Sequence, residues 1–157
     1  MTWGEHLFDA ELQPIASFDG EWFVLSNFWR GDVVYNDVSY PTAEHAYQAA
    51  KATSTKDHDY VASSLTPAIA KHRGREIKCR SDWNQVKIDV MRRILEIKFS
   101  LDTHAGARLL LTGERQLIEG NTWGDKVWGV CTGEGDNRLG QLLMEIRFKN
   151  AFSKALD

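Results

Sequence analysis

The sequence predicts an α+β fold: one compact domain over residues 1–157, mostly helical, with a small antiparallel sheet. Three observations carry that expectation. Runs with the 3.6-residue apolar period outnumber strand-like runs. One short pair of β-branched and aromatic runs flanks a tight-turn dipeptide. No regular βαβ alternation is present, which excludes a doubly wound parallel sheet.

The elements follow in chain order. Trp22-Phe23-Val24-Leu25 is an apolar run and reads as a strand. Val33-Val34-Tyr35 and Val38-Ser39-Tyr40 flank Asn36-Asp37, residues that tolerate the left-handed conformation of a hairpin turn. Pro41-Thr42 opens an alanine-rich helix running to Lys51, with Glu44 in its first turn, where the helix dipole favours a carboxylate. Thr66-Pro67 starts a short helix that Gly74 should end. Ser81-Asp82 should cap a long helix whose inner face is Val86, Val90, Met91, Ile94, Leu95 and Phe99. A further helix covers about 104–112 and stops at Gly113. The last helix begins near Asn137, with Leu139, Leu142, Leu143 and Ile146 inward, and 114–132 is short strand and Gly/Trp-rich loop.

Composition bounds the function classes. The chain of 157 residues is 43% hydrophobic and 26% charged, with a formal net charge of −3. That balance suits a globular protein and supplies no global positive field for nucleic acid or an anionic membrane. Cys79 and Cys131 are too few for a disulfide framework and lack CxxC spacing, which fits a reducing cytoplasm. The amino terminus, with Glu5, Asp9 and Glu11, has neither a basic start nor an apolar run, so neither a signal peptide nor a membrane span is expected. His6, His45, His58, His72 and His104 are scattered without ligand spacing, and no GxSxG elbow occurs. No metal and no cofactor is expected. His45 should point about a hundred degrees around the helix from Glu44, as a packed or exposed side chain outside the chemistry.

Four stretches could carry chemistry. Glu44, Gln48 and Lys51 fall at i, i+4 and i+7, beside Tyr47, and form one polar helical stripe. Such a stripe is either a solvated face or an active-site wall; Ala46, Ala49 and Ala50 suggest a tightly packed helix and tilt toward the wall. The loop from Glu119 to Val130 gathers Asn121, Trp123, Gly124, Asp125 and Trp128 and is poor in core-building aliphatics. It could hold a ligand by close backbone approach and base stacking, or be a glycine-turned hairpin with buried tryptophans. Gly133 to Arg138 could cradle a phosphate at a helix start, with Arg138 adding charge, or be an ordinary loop with Asn137 as cap; Glu134 and Asp136 favour the latter. Lys71 to Arg80 reads KHRGREIKCR, with five positive charges against one negative, and includes Arg73 and Arg80. Followed by Trp83, it suits either a solvated loop or a nucleotide's phosphate and base.

Taken together, the motifs from Gly20 to Phe28, Tyr40 to Lys51, Gly120 to Asp125 and Asn137 to Arg147 resemble, in order, those of the NADAR family, also called YbiA-like. The likeness runs from about Phe18 to Arg147 and leaves 1–17 as an amino-terminal extension. It implies N-glycosidase activity on a ribose C1–N bond: removal of ADP-ribose from modified guanine, or breakdown of phosphoribosylamino-pyrimidine intermediates of riboflavin synthesis. By motif, the resemblance places catalytic residues at Glu44, Trp83 and Asp125. Asn27, Phe28, Gln48, Lys51, Trp123 and Asn137 fall in pocket-lining motifs. Ala46 and Trp29 depart from the family pattern and bear on substrate preference. The implied partner is a nucleotide-type small molecule or an ADP-ribosylated nucleobase in nucleic acid. Two rivals are a silent NAD or ADP-ribose binding module and a general nucleic-acid binder, which the acidic balance disfavours.

Overall fold

In the computed structural model, residues 13–157 are described, so Glu5, His6, Asp9, Glu11 and most of the amino-terminal extension lie outside the described residues. The described residues form two compact units, Asn27–Lys98 and a second made of residues 13–26 with Phe99–Asp157.

The unit Asn27–Lys98 opens with the expected hairpin. β1 (Val33–Tyr35) and β2 (Val38–Tyr40) pair antiparallel, Val33 opposite Tyr40 and Tyr35 opposite Val38. Asn36 and Asp37 turn with φ of 49° and 63°, the left-handed pair that matches the twist of the strands. α1 (Ala43–Ala49) follows, and all seven of its residues are buried. A helix buried all round must be small where neighbours cross it, which accounts for Ala43, Ala46 and Ala49. Thr42 caps α1, its hydroxyl accepting from the His45 N–H at 3.2 Å.

Three helices pack against α1: α2 (Thr55–Ala62), α3 (Pro67–Glu76) and α4 (Trp83–Lys98). The sequence expectation omitted α2, which buries only Val61 and shows little apolar periodicity. Its signal is the cap, with the Ser54 hydroxyl accepting from the Asp57 N–H at 3.2 Å. α3 starts at Pro67 as expected but runs through Gly74 to Glu76, so Gly74 is interior and does not stop the helix. Interior glycine costs a helix about 1 kcal/mol against alanine, and the reason for it lies in what Gly74 touches. α4 matches its periodic face: Val90, Met91, Ile94 and Leu95 are buried, and Val86 is half-buried. The carbonyl of Asp82 accepts the first turn's N–H groups of Gln85 and Val86, whereas its carboxylate is spent on Arg80.

In the second unit, residues Gly20–Leu25 form a 3-10 helix where a strand was expected. Gly20 enters it with φ of 52°, Val24 and Leu25 turn inward, and the Arg108 guanidinium donates to the Glu21 carbonyl at 2.9 Å. Trp22 has the guanidiniums of Arg108 and Arg115 over its ring at 5.0 and 4.8 Å. These contacts, remote in sequence, override the run's β propensity. α5 (His104–Leu111) and α6 (Arg138–Leu156) follow expectation, with Leu139, Leu142, Leu143 and Ile146 buried. Between them, β3 (Gly120–Asn121) and β4 (Val130–Cys131) pair in parallel, so the loop joining them is not the hairpin that was one of its two readings. The fold class is α+β and mainly helical, as predicted, and no helix among the described residues is long and apolar enough to cross a membrane.

Candidate functional site

Within Asn27–Lys98 the polar stripe of α1 is buried. Glu44 is 7% exposed and Gln48 4%, which removes the solvated-face reading. The Gln48 amide donates from Nε2 to Glu44 Oε1 at 2.7 Å, and the Glu44 N–H donates to the Asn27 carbonyl at 3.1 Å. A buried carboxylate requires such charge-assisted donors, because desolvation otherwise disfavours its ionised form. Two further buried acceptors, Asn27 Oδ1 and Gln48 Oε1, have no hydrogen-bond partner among the described residues. The Asn27 amide nitrogen lies 3.5 Å from Met91 Sδ, a weak acceptor that leaves Oδ1 as the atom with capacity for a ligand donor.

One turn along, the Tyr47 and Trp83 rings meet at 5.0 Å between centroids, tilted by 54°. Lys51 Nζ sits 5.6 Å from the Tyr47 centroid and 5.8 Å from that of Trp83. Burial pushes the Lys51 ammonium below the usual lysine range; Arg75 and Lys71 push in the same direction, while Glu44 and Cys79 oppose them. The Lys51 ammonium thus feels the Glu44 carboxylate on one account and the Arg75 and Lys71 cations on the other. Arg75 and Lys71 belong to the KHRGREIKCR run, but the sequence reading named Arg73 and Arg80 instead. Arg73 lies over the Tyr60 ring at 4.4 Å and donates to the Tyr60 carbonyl at 2.7 Å. Arg80 forms a two-pronged pair with Asp82, at 2.6 and 2.8 Å, and the shared hydrogen bonds raise the guanidinium's pKa and lower the carboxyl's, keeping both charged. Arg73 therefore braces the last turn of α2, and Arg80 the segment that enters α4. Phe28 is half-buried, one residue from Asn27.

His45 is structural. Its Nε2 lies 2.9 Å from the Ser64 carbonyl, which can only accept, so Nε2 carries the hydrogen; Nδ1, 2.7 Å from Thr42 Oγ1, then accepts from that hydroxyl. Burial lowers its pKa, and the neutral ring clamps the start of α1 and thereby Glu44.

In the second unit the Glu119 to Val130 loop is braced from within. Asn121 donates to the carbonyls of Asp125 at 2.8 Å and Val130 at 3.2 Å and accepts from the Asp125 N–H at 3.0 Å. Asp125 Oδ1 accepts from the N–H groups of Val127 and Trp128, at 3.0 and 2.9 Å. Gly124 turns at φ of 86°. Trp123 is 62% exposed and Trp128 half-buried, so Trp123 is no core residue. Asn137 adopts φ of 51° and spends its amide bridging the Glu119 N–H and the Leu117 carbonyl, at 3.0 and 2.9 Å, instead of capping α6. The N–H groups of Asn137, Arg138 and Leu139 donate to the carbonyls of Gly129, Val127 and Trp128, so the suggested phosphate cradle is filled by the loop itself. The Arg138 side chain is exposed, 3.9 Å from Asp136. Among the described residues no three His, Cys, Asp or Glu side chains gather as a metal site.

Several known proteins are similar to this chain over most of its length. It is 33% identical over 153 residues to the N-glycosidase YbiA of Escherichia coli, covering 96% of this chain and 95% of that protein. It is 37% identical over 131 residues to the N-glycosidase Npun_R5314 of Nostoc punctiforme, covering 78% and 82%. A riboflavin biosynthesis protein of Vibrio vulnificus, VVA0006, is 33% identical over 140 residues, which is 86% of this chain and 38% of that one. The NMR structure of E. coli YbiA matches with a TM-score of 0.80 over 92% of this chain and 87% of that one. Residues 17–149 match the NADAR domain, so the chain belongs to the NADAR domain family.

Proposed function

We propose that this N-glycosyl hydrolase removes ADP-ribose from modified guanine by cleaving the ribose C1–N bond. The observation that carries the reading is Glu44: a carboxylate buried on a packed helix, held through one oxygen by Gln48, one turn from an aromatic pair and a cation. As the C1–N bond breaks, its electron pair leaves with the base nitrogen and C1 gains oxocarbenium character; water then adds to C1, and the proton it loses ends on the departing nitrogen. We assign Glu44 to stabilising that cation or activating the water, Asp125 to orienting water or ribose hydroxyls, and Trp83 to stacking on the base or closing over it. Asn27 Oδ1 is suited to accept from a ribose hydroxyl or a base N–H. Lys51, with Arg75 and Lys71 close enough to oppose its charge, suits a substrate with more negative charge than one monophosphate.

The titration of Lys51 gives this reading a pH signature. Lysine is cationic below its pKa, and that pKa is lowered here, so the charge is lost as pH rises through a value below the ordinary lysine range. KM is expected to rise on the alkaline side accordingly, with kcat less affected. Lys51→Met should raise KM about tenfold or more and flatten that rise. Lys51→Arg, which does not titrate in the range, should also flatten it while keeping more of the affinity. An unchanged alkaline profile in Lys51→Met would remove Lys51 from phosphate binding.

A second reading is supported by the names of the riboflavin biosynthesis proteins of V. vulnificus and Zea mays, both similar to this chain. It takes a phosphoribosylamino-pyrimidine as substrate and uses the same bond cleavage. Separate incubation with ADP-ribosyl-guanosine and with ribosylaminouracil phosphate, followed by mass spectrometry of the products, distinguishes the two. Release of guanosine and ADP-ribose alone is the expected result. Release of the pyrimidine alone reverses the choice, and binding of either compound without release identifies a silent binding module.

A further inference from the structure

We propose that Gly74 is a positioning residue for Glu44, acting through Gln48: the bare backbone of α3 at this point is what allows the Gln48 side chain to reach the carboxylate. The inference rests on the reading of Glu44 as the reacting carboxylate. A Cβ placed on Gly74 would lie 2.1 Å from Gln48 Oε1, 2.9 Å from Cδ and 3.1 Å from Cβ, so its three nearest neighbours all belong to Gln48. Gly74 itself is helical, with no positive φ that would call for glycine on backbone grounds. The residue is small because of what it faces.

Gln48 Oε1, pressed against this gap, has no hydrogen-bond partner among the described residues, while Nε2 donates to Glu44. An amide free to choose would turn its oxygen toward a donor. This one keeps an acceptor buried and unmatched in order to present its N–H to a carboxylate, and turning it over would set two oxygens against each other. Gln48 is thereby fixed from both sides: Glu44 sets which end of the amide points inward, and the absence of a side chain at 74 sets where the amide lies. Thr42 and His45 hold the start of α1 by a separate set of bonds, so the Gly74 contact acts on the side chain of Gln48 and leaves the helix start in place.

The test is a double-mutant cycle of Gly74→Ala and Gln48→Ala, read by kinetics and by NMR of the Gln48 side-chain amide. Gly74→Ala is expected to lower kcat roughly ten- to hundredfold, with KM within about threefold, and to shift the Gln48 Nε2 resonances. Gln48→Ala should lower kcat to a similar degree. The double variant should be no slower than Gln48→Ala alone, because the two closest approaches, to Oε1 and Cδ, are then gone and the 3.1 Å approach to the residue 48 Cβ is relieved by a shift of a few tenths of an ångström. If Gly74→Ala fails to fold, the double variant should fold. Equal losses from Gly74→Ala in both backgrounds, or failure of both proteins to fold, would overturn the proposal, since Gly74 would then serve helix packing alone. The amide resonances report the Gln48 position without turnover. A shifted amide together with unimpaired Glu44→Gln activity would therefore reject the catalytic role of Glu44 while leaving the steric link intact.

Discussion

Glu44→Gln is expected to cut kcat/KM by about 10³-fold or more while the protein stays folded. Glutamine keeps the size of the side chain and an oxygen that can accept from Gln48 Nε2, so the wall of α1 should stand. What it loses is the negative charge, the property that a developing cation at C1 requires. The Glu44 side chain is only 7% exposed, so its replacement sheds a desolvation cost along with the attraction to Lys51. Glu44→Gln should therefore melt close to the wild type. Single-turnover kinetics and thermal unfolding on the same samples check both parts. Full turnover by a folded Glu44→Gln protein would dismiss Glu44 as the reacting carboxylate, and a large fall in Tm would recast it as structural.

The second large effect is expected at Asp125, where charge and loop bracing are separable. Oδ1 accepts from the N–H groups of Val127 and Trp128, a duty that an asparagine oxygen can perform equally. Asp125→Asn should then leave stability near wild type but lower kcat by about 10²-fold or more. Asp125→Ala should lose activity as well and unfold more easily by roughly 1–2 kcal/mol, because two N–H groups lose their acceptor. Comparing the variants by kcat and by urea unfolding isolates the charge. An Asp125→Asn protein as fast as wild type, beside an impaired Asp125→Ala, would mean that the carboxylate only braces the loop.

The same separation explains why some site residues were legible in the sequence and others were not. Glu44, Gln48 and Lys51 could be read because a helix's geometry puts i, i+4 and i+7 on one stripe, and the alanines beside them announced close packing. The basic run announced a cationic element, yet not which cations serve it. Arg73 and Arg80 are consumed by Tyr60 and Asp82, whereas Arg75 and Lys71 act on Lys51. Asn121 falls in a loop that reads as a ligand contact or a hairpin, and Asn137 reads as a helix cap or a pocket-lining residue; the described geometry commits both amides to backbone groups. Which partner a side chain adopts depends on residues distant in the chain, and spacing carries no record of that choice.

By itself the sequence determined the elements whose signals are local: the Asn36-Asp37 hairpin, the Pro67 start of α3, the periodic face of α4 and the buried face of α6. It also determined the family, through four motifs in order. Tertiary structure alone decided the rest. The run at 22–25 became a 3-10 helix because Arg108 and Arg115 hold Trp22 and Glu21. The two-residue strands β3 and β4 paired in parallel, a register with no local signal. Gly74 reads locally as a helix stop, but it lies inside α3 because its neighbour across the helix pair is Gln48. Local propensities differ by about 1 kcal/mol or less per residue, so a single close contact between helices is enough to outweigh them.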